Sequence, residues 1–467
     1  MSGPLSRRRF LGHLNCAAIS SLPVLSTLLN LRAAGSAAAA AAPSGHRALV
    51  CLFLSGGIDT FNVLVPRGQA EYAEYAAVRG GIALPQQSLL PITPLGTPGL
   101  QLGLHPQLTG IQSLFEAGKA AFVANVGTLI EPVTKDEYDN DLKRLPLGLY
   151  SHSDQVEQWH TGLPNVHAAK GWGGRMGDML KDLNGLDTVS MNISLTGSNI
   201  WQSGDMVYEY TVDTDGAIPL EGYDQSDTDE WSTVPIRTKA VDSQLAFDYQ
   251  HLLSQAFNKK RRSAMDAYAL FNTATALELP GSIVFPDTEL GNQLKMVAKA
   301  IAGHATLHHS RQTFFIEYGG WDHHDGLVAS QAEMLPEVDA AVKAFYDCLN
   351  ALGMANNVTL FTASDFARTL TTDGDGADHA WGGNHLVIGG AVSGRRIYGQ
   401  YPALFEDNPL DVGRGRLIPQ VAVDRYFAEL ALWLGVPKSS LDVVLPNIST
   451  FYDVNGSAGP VGFLGAT

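Results

Sequence analysis

Asp322, His323, His324 and Asp325 follow two glycines, Gly319 and Gly320, at the end of the apolar run Phe314-Phe315-Ile316-Glu317-Tyr318. A strand that stops at glycines and then presents oxygen and nitrogen donors places them at its carboxyl end, where open α/β sheets keep their sites. Asp322 and His324 can close together on one metal ion, but three or four ligands are needed. The remainder must come from distant segments. A second strand-like run, Leu360-Phe361-Thr362, leads into Ser364-Asp365, and the glycine- and aspartate-rich loop after it carries Asp378-His379 and Asn384-His385. Asp365, His379 and His385 therefore complete the candidate ligand set. The loop's Asp-x-Asp-Gly lacks the downstream glutamate of an EF-hand, and His304, His308 and His309 read as ordinary helix-end or surface histidines.

Two further segments could contribute. The apolar run Arg47–Leu54 ends in Ser55-Gly56-Gly57, and Asp59 follows where the strand would open into a site. Asp59 either faces that site or caps a turn or the next helix. Ser151 precedes Asp154 by three residues at the start of a helical pattern. That spacing is a capping box, and it equally sets a hydroxyl beside the positive end of a helix, where an alkoxide or an anion is stabilised. Arg175, in Gly171-Trp172-Gly173-Gly174-Arg175, is an anion contact or a helix-start arginine.

These residues need a scaffold, and the apolar patterning supplies one. Strand runs are expected at Arg47–Leu54, Ala120–Val126, Val189–Ser194, Thr313–Tyr318, Val358–Thr362 and Leu386–Ile388. Helical patterns fall between them at about Pro106–Ala117, Gln155–Thr161, Glu289–Ala302, Ala332–Leu352 and Val421–Leu434. Continuous apolar strands suit a parallel sheet buried on both faces, so the expected fold is α/β, a three-layer α/β/α sandwich in one domain over 43–467. The stretch 201–276 breaks the rhythm and reads as an excursion or cap. Its basic cluster, Lys259-Lys260-Arg261-Arg262, reads as a solvated helix face.

The chain has 467 residues, 45% of them hydrophobic, and a net charge of −16. That balance argues against a nucleic-acid groove and offers no basic stripe for anionic lipid. An anionic ester would need a locally positive site such as bound cations. At the N-terminus, Arg7-Arg8-Arg9-Phe10-Leu11, a weakly apolar run and the alanine tract to Ala42 form a twin-arginine signal over 1–42. Interrupting polar residues and Pro23 weigh against a membrane anchor. The expected location is periplasmic or extracellular, the expected partner the twin-arginine translocation machinery, and no stable membrane span is expected after signal removal. Cys51 and Cys348 read as buried thiols, with a bridge between them left open.

Taken in order, Ser55-Gly56-Gly57-Ile58-Asp59-Thr60, Ser151-His152-Ser153-Asp154-Gln155, Gly171-Trp172-Gly173-Gly174-Arg175, Gly320-Trp321-Asp322-x-His324, Ser364-Asp365-Phe366-x-Arg368-Thr369, Asp378-His379-x-Trp381-Gly382-Gly383 and Arg396-Ile397-Tyr398-Gly399 resemble the exported family called domain of unknown function 1501. That family looks like a divergent branch of the alkaline phosphatase and sulfatase superfamily. The resemblance implies an alkaline-phosphatase-like core with one or two divalent metal ions, Zn, Mn or Fe by ligand type. It casts Asp59, Asp322, His324, Asp365, His379 and His385 as metal ligands and Ser151 as nucleophile, with Ser153 as the fallback. Arg175 or Arg368 would hold an ester oxygen. The implied activity is hydrolysis of a small-molecule phosphate, sulfate or phosphonate ester; the alternative is a non-catalytic exported binding or assembly protein with at most one metal. One departure stands out: Phe366 follows Asp365 where the superfamily has histidine, which puts the second metal in doubt. No Cys-x-Pro-x-Arg sulfatase motif is present.

Overall fold

Every residue from Ala48 to Leu54 is buried, and alternate side chains enter two different cores. Ala48, Val50, Leu52 and Leu54 join one apolar cluster, while Leu49, Cys51 and Phe53 join another on the opposite face of the sheet. A strand buried on both faces requires a layer on each side. Helices Thr109–Glu116, Glu289–Ala302 and Leu327–Ala351 supply one layer. Trp172–Leu180 and Val423–Leu434 supply the other. The structure, a computed structural model, describes residues 45–97, 99–185, 188–229 and 231–464. The expected signal over 1–42 lies outside them.

The ten-stranded sheet runs in the order Ile397–Tyr398, Ala120–Gly127, Gly383–Gly389, Val358–Ser364, Arg47–Leu54, Arg311–Tyr318, Asn192–Ser194, Tyr210–Asp213 and Gly216–Ala217, with Val421–Ala422 also paired to Ala120–Gly127. It is mostly parallel. Gly383–Gly389 runs antiparallel to both of its neighbours, and Gly216–Ala217 closes an antiparallel edge. The fold is therefore the α/β, three-layer arrangement expected. Cys51 and Cys348 are free and buried, on opposite sides of the sheet.

Register is what positions the site. Leu54 lies opposite both Tyr318 and Ser364 in parallel pairings, so three strands end at one level. The segments that follow them, Ser55–Asp59, Gly319–His324 and Asp365–Arg368, leave the sheet side by side. Gly383 pairs with Val126 at this same edge, so the loop before Gly383 and the chain after Gly127 arrive there too.

Some elements differ from the sequence reading. Val189–Ser194 shortens to Asn192–Ser194, and the helix expected from Gln155 begins at His152. A three-stranded sheet of Leu64–Pro66, Leu102–Leu104 and Leu90–Ile92, with the helix Gln69–Arg79, fills a stretch the patterning left blank. Strands of three residues, two of them containing proline, are too short to show a period of two. Within 201–276 the chain forms an edge hairpin and two helices, Val234–Ala246 and Leu252–Thr275. Among the described residues, no helix is long and apolar enough to cross a membrane.

Candidate metal centre

At the common end of the central strands, three imidazoles gather around one carboxylate, that of Asp322. Asp322 Oδ1 lies 3.1 Å from His324 Nε2, 3.4 Å from His379 Nε2 and 3.6 Å from His152 Nε2. His379 Nε2 is 3.0 Å from His324 Nε2 and 3.1 Å from His152 Nε2. Four atoms bound tetrahedrally at about 2.0–2.1 Å stand about 3.3 Å apart. The five separations lie near that spacing; the ligand atoms of His152, Asp322 and His379 all lie within 4.8 Å of one another, and His324 adjoins that group through Asp322 and His379.

The outer nitrogens show which way the lone pairs face. His379 Nδ1 is 2.8 Å from the Tyr150 carbonyl, which can only accept, so this nitrogen carries the proton. His152 Nδ1 is 2.7 Å from Asp365 Oδ2, and a carboxylate again fixes the proton outside. With both outer nitrogens carrying protons, the two Nε2 atoms face each other across 3.1 Å and must share either a proton or a metal cation. Burial lowers the affinity of His379 for a proton, and Arg368 and His152 push in the same direction. For Asp322, burial raises the pKa, but the hydrogen bond and charge of Arg368 outweigh it and bring the carboxyl below its ordinary value. The donor set fits a divalent ion.

Asp365 is therefore not turned to the centre as a ligand. Its Oδ1 accepts from the Gly56 backbone and its Oδ2 holds His152, so it orients an imidazole in the way carboxylates do behind metal-bound histidines. Gly56 is required at this approach: with φ of +114°, a Cβ there would lie 2.7 Å from the backbone nitrogen of Asp322.

Asp59, expected as the first-strand ligand, also sits elsewhere. One oxygen caps the turn by accepting from the backbone of Phe61 at 3.0 Å and Asn62 at 3.3 Å, and the other is paired with Arg79. Both Asp59 and Arg79 side chains are fully buried. A carboxylate with no water must take the nearest cation, and here that is a guanidinium. His385 points away as well. Its strand buries it among Trp159 and Tyr426, ring centroids 4.6 and 6.0 Å away, and burial pushes its pKa down to about 3.

Neither arginine is free to grip an anion. Arg175 donates to the carbonyls of Val444, Lys170 and Thr161. Arg368 is buried, donating to the carbonyls of Gly56, Gly57 and Ala377 and to Asp322. Both are structural clamps in this arrangement. Ser151 does form the N-cap of helix His152–Thr161 by its backbone, but its side chain makes no capping bond. Its Oγ donates instead to Asp154 Oδ2 at 2.6 Å, with Ser153 Oγ 3.2 Å away.

The sequence reading missed His152 as a site residue. Its signal is its place in Ser151-His152-Ser153-Asp154, where the helix-start pattern alone accounts for the segment. Asp378 was also passed over; with His324 and His379 it forms a second group whose ligand atoms lie within 4.8 Å of one another. Its Oδ2 is already held by Arg414 and Arg416. Phe366 packs its ring on those of His152 and His379, at 4.7 and 4.5 Å.

The family model described as "Protein of unknown function (DUF1501)" matches residues 46–413. The chain belongs to this DUF1501 family. All of His152, Asp322, His324, Asp365 and His379 fall inside the matched span. No curated protein matches. Among solved structures, Ps i-CgsB in complex with k-i-k-neocarrahexaose is 9% identical with a TM-score of 0.33, covering 84% of this chain and 72% of that one. The PsFucS1 sulfatase from Pseudoalteromonas sp. is 11% identical with a TM-score of 0.29, covering 79% of this chain and 68% of that one. Likeness this low carries no argument about the DUF1501 site.

Proposed function

We propose that this DUF1501 protein is a metal-dependent hydrolase of phosphate or related sulfate esters, working with one divalent ion held by His152, Asp322, His324 and His379. The observation that carries this reading is the exposed group of His152, Asp322 and His379, with ligand atoms within 4.8 Å of one another, and His324 beside Asp322 and His379. His152, Asp322 and His324 keep between 36% and 46% of their side-chain surface exposed. That exposure leaves room for water or substrate to join the ion as a further ligand, as catalytic sites require. At the positions the family resemblance casts for a second ion, Arg79 pairs with Asp59, His152 holds Asp365, and an aromatic ring stands at Phe366.

A divalent ion supplies positive charge to an ester's oxygens and favours the ionised form of a coordinated hydroxyl or water. The protein supplies position. Asp365 and the Tyr150 carbonyl set the planes of His152 and His379, and Arg368 fixes Asp322. Ser151 directly precedes His152, and its proton already points at Asp154 Oδ2. Asp154 would take that proton as Oγ attacks the ester centre, the bond to the leaving alkoxide would break and the alkoxide leave with that proton, and water would then hydrolyse the seryl ester to regenerate Ser151. The test is hydrolysis of aryl phosphate and aryl sulfate esters by metal-loaded wild type, Ser151→Ala and Ser153→Ala. Loss of turnover in Ser151→Ala alone, with metal retained, is expected. Equal rates in all three would remove the serine step.

The commitment of Arg175 and Arg368 to backbone carbonyls favours a second reading, a non-catalytic binding or assembly protein with one metal. Metal-loaded wild type inactive on both ester classes would select it. Export is part of the proposal: Arg7 and Arg8 precede Phe10-Leu11, so changing both arginines to lysine should leave the precursor in the cytoplasm.

A further inference from the structure

The helix Leu252–Thr275 is anchored by its second half, where Ala267, Phe271 and Ala274 are buried. Its first turns overhang the body. Leu252, Leu253 and Phe257 are 76%, 73% and 71% exposed, and Phe247, just before the helix, is 63% exposed. Leu253 and Phe257 line one groove with Tyr249, whose ring meets that of Phe247 at 4.9 Å, so these groups form one apolar corner. An exposed cluster of this size on a soluble surface marks an interaction site.

The charges beside it indicate the partner. Three and four residues apart on a helix share a face, so Leu253, Ala256, Phe257 and Lys260 lie together, with Lys259 and Arg261 at the margins. Between residues 231 and 262 there are six lysines or arginines against two aspartates, in a chain whose net charge is −16. Arg261 donates to Gln244 Oε1 at 2.9 Å and Arg262 to the Leu245 carbonyl at 2.8 Å, which pins the cations beside the apolar corner. Charges farther away than about 8 Å are screened at physiological salt. The acidic loop around Asp224 packs at Thr238, toward the other end of the helix Val234–Ala246, so the charge cluster nearest the apolar corner is that of Lys259–Arg262.

We propose that this corner docks on a membrane surface that carries anionic headgroups. Leu252, Leu253, Phe257 and Phe247 enter the headgroup boundary, while Lys259, Lys260 and Arg261 remain level with the phosphates. A second copy of the chain fits less well, because a two-fold contact would bring the same basic clusters together. The sequence reading of Lys259–Arg262 as a solvated face counted charge without knowing that the neighbouring apolar groups are uncovered. The inference does not rest on the metal centre.

The test is flotation of the full chain with vesicles of phosphatidylcholine alone and with equal parts phosphatidylcholine and phosphatidylglycerol. Wild type is expected to float with the anionic vesicles and to be released by salt. Binding should fall at least tenfold in the double variant Leu253→Asp, Phe257→Asp, and several-fold in Lys259→Ser, Lys260→Ser, whose side chains are exposed. Equal flotation of wild type and both variants overturns the proposal, as does wild type that ignores anionic vesicles. A solution dimer that Phe257→Asp disperses, read by light scattering, overturns it in favour of a second copy.

Discussion

At the scale of single residues, the division of labour between His152 and Asp365 is the most exposed part of the account. His152 offers Nε2 to the centre and Nδ1 to Asp365. Removing an outer carboxylate of this kind typically weakens metal affinity by about 10–100-fold, whereas removing a ligand should be worse. Asp365→Asn is therefore expected to bind metal about 10–100-fold more weakly, and His152→Ala more weakly still, by competition with a chromophoric chelator. Asp365→Asn as damaging as His152→Ala would mean that Asp365 is itself a ligand. The types of Asp322, His324 and His379 single them out in the sequence, and the structure brings the three side chains together. Asp365 was found for the right neighbourhood and given the wrong contact, because sequence order places a residue at a strand end without fixing which way its side chain turns.

Among the elements, the loop after the first strand matters most. Asp59 and Arg79 are a buried pair that ties this loop to helix Gln69–Arg79, and Arg79 also donates to the Thr369 carbonyl near the centre. Breaking one side of a buried pair costs about 3–5 kcal/mol. Asp59→Asn should lose stability on that order in urea denaturation while keeping full metal loading, and a variant that folds normally but no longer loads metal would restore Asp59 as a ligand. The turn-capping alternative was readable from Gly56-Gly57-x-Asp59. Its partner was not, because Arg79 lies on a helix the patterning left blank. The long strands and helices were legible since each repeats its apolar period over seven residues or more.

For the molecule as a whole, buried neutral histidines set the response to acid. Burial lowers His385 to about 3 and His160 to about 4 from an ordinary value of 6.5. The folded pKa lies below the unfolded one, so the unfolded chain takes up protons first as pH falls. Stability is full above about pH 6.5 and declines through the window down to those values, by up to roughly 1.4 kcal/mol per pH unit for each group. Urea midpoints measured at pH 7 and pH 5 should fall steeply for wild type and less steeply for His385→Phe; equal slopes would contradict this origin. The three-layer fold was readable at this scale from the alternation of strands and helices. The meeting of Tyr150–His152 with the centre was not, because it depends on an antiparallel strand, Gly383–Gly389, inserted between parallel ones.

The central claim is one metal ion on three imidazoles and Asp322, and elemental analysis of purified, folded protein tests it most directly. One divalent ion per chain in wild type, and less than about a tenth of that in His152→Ala with unchanged circular dichroism, is the predicted result. Two ions per chain, none, or full loading in His152→Ala would contradict it.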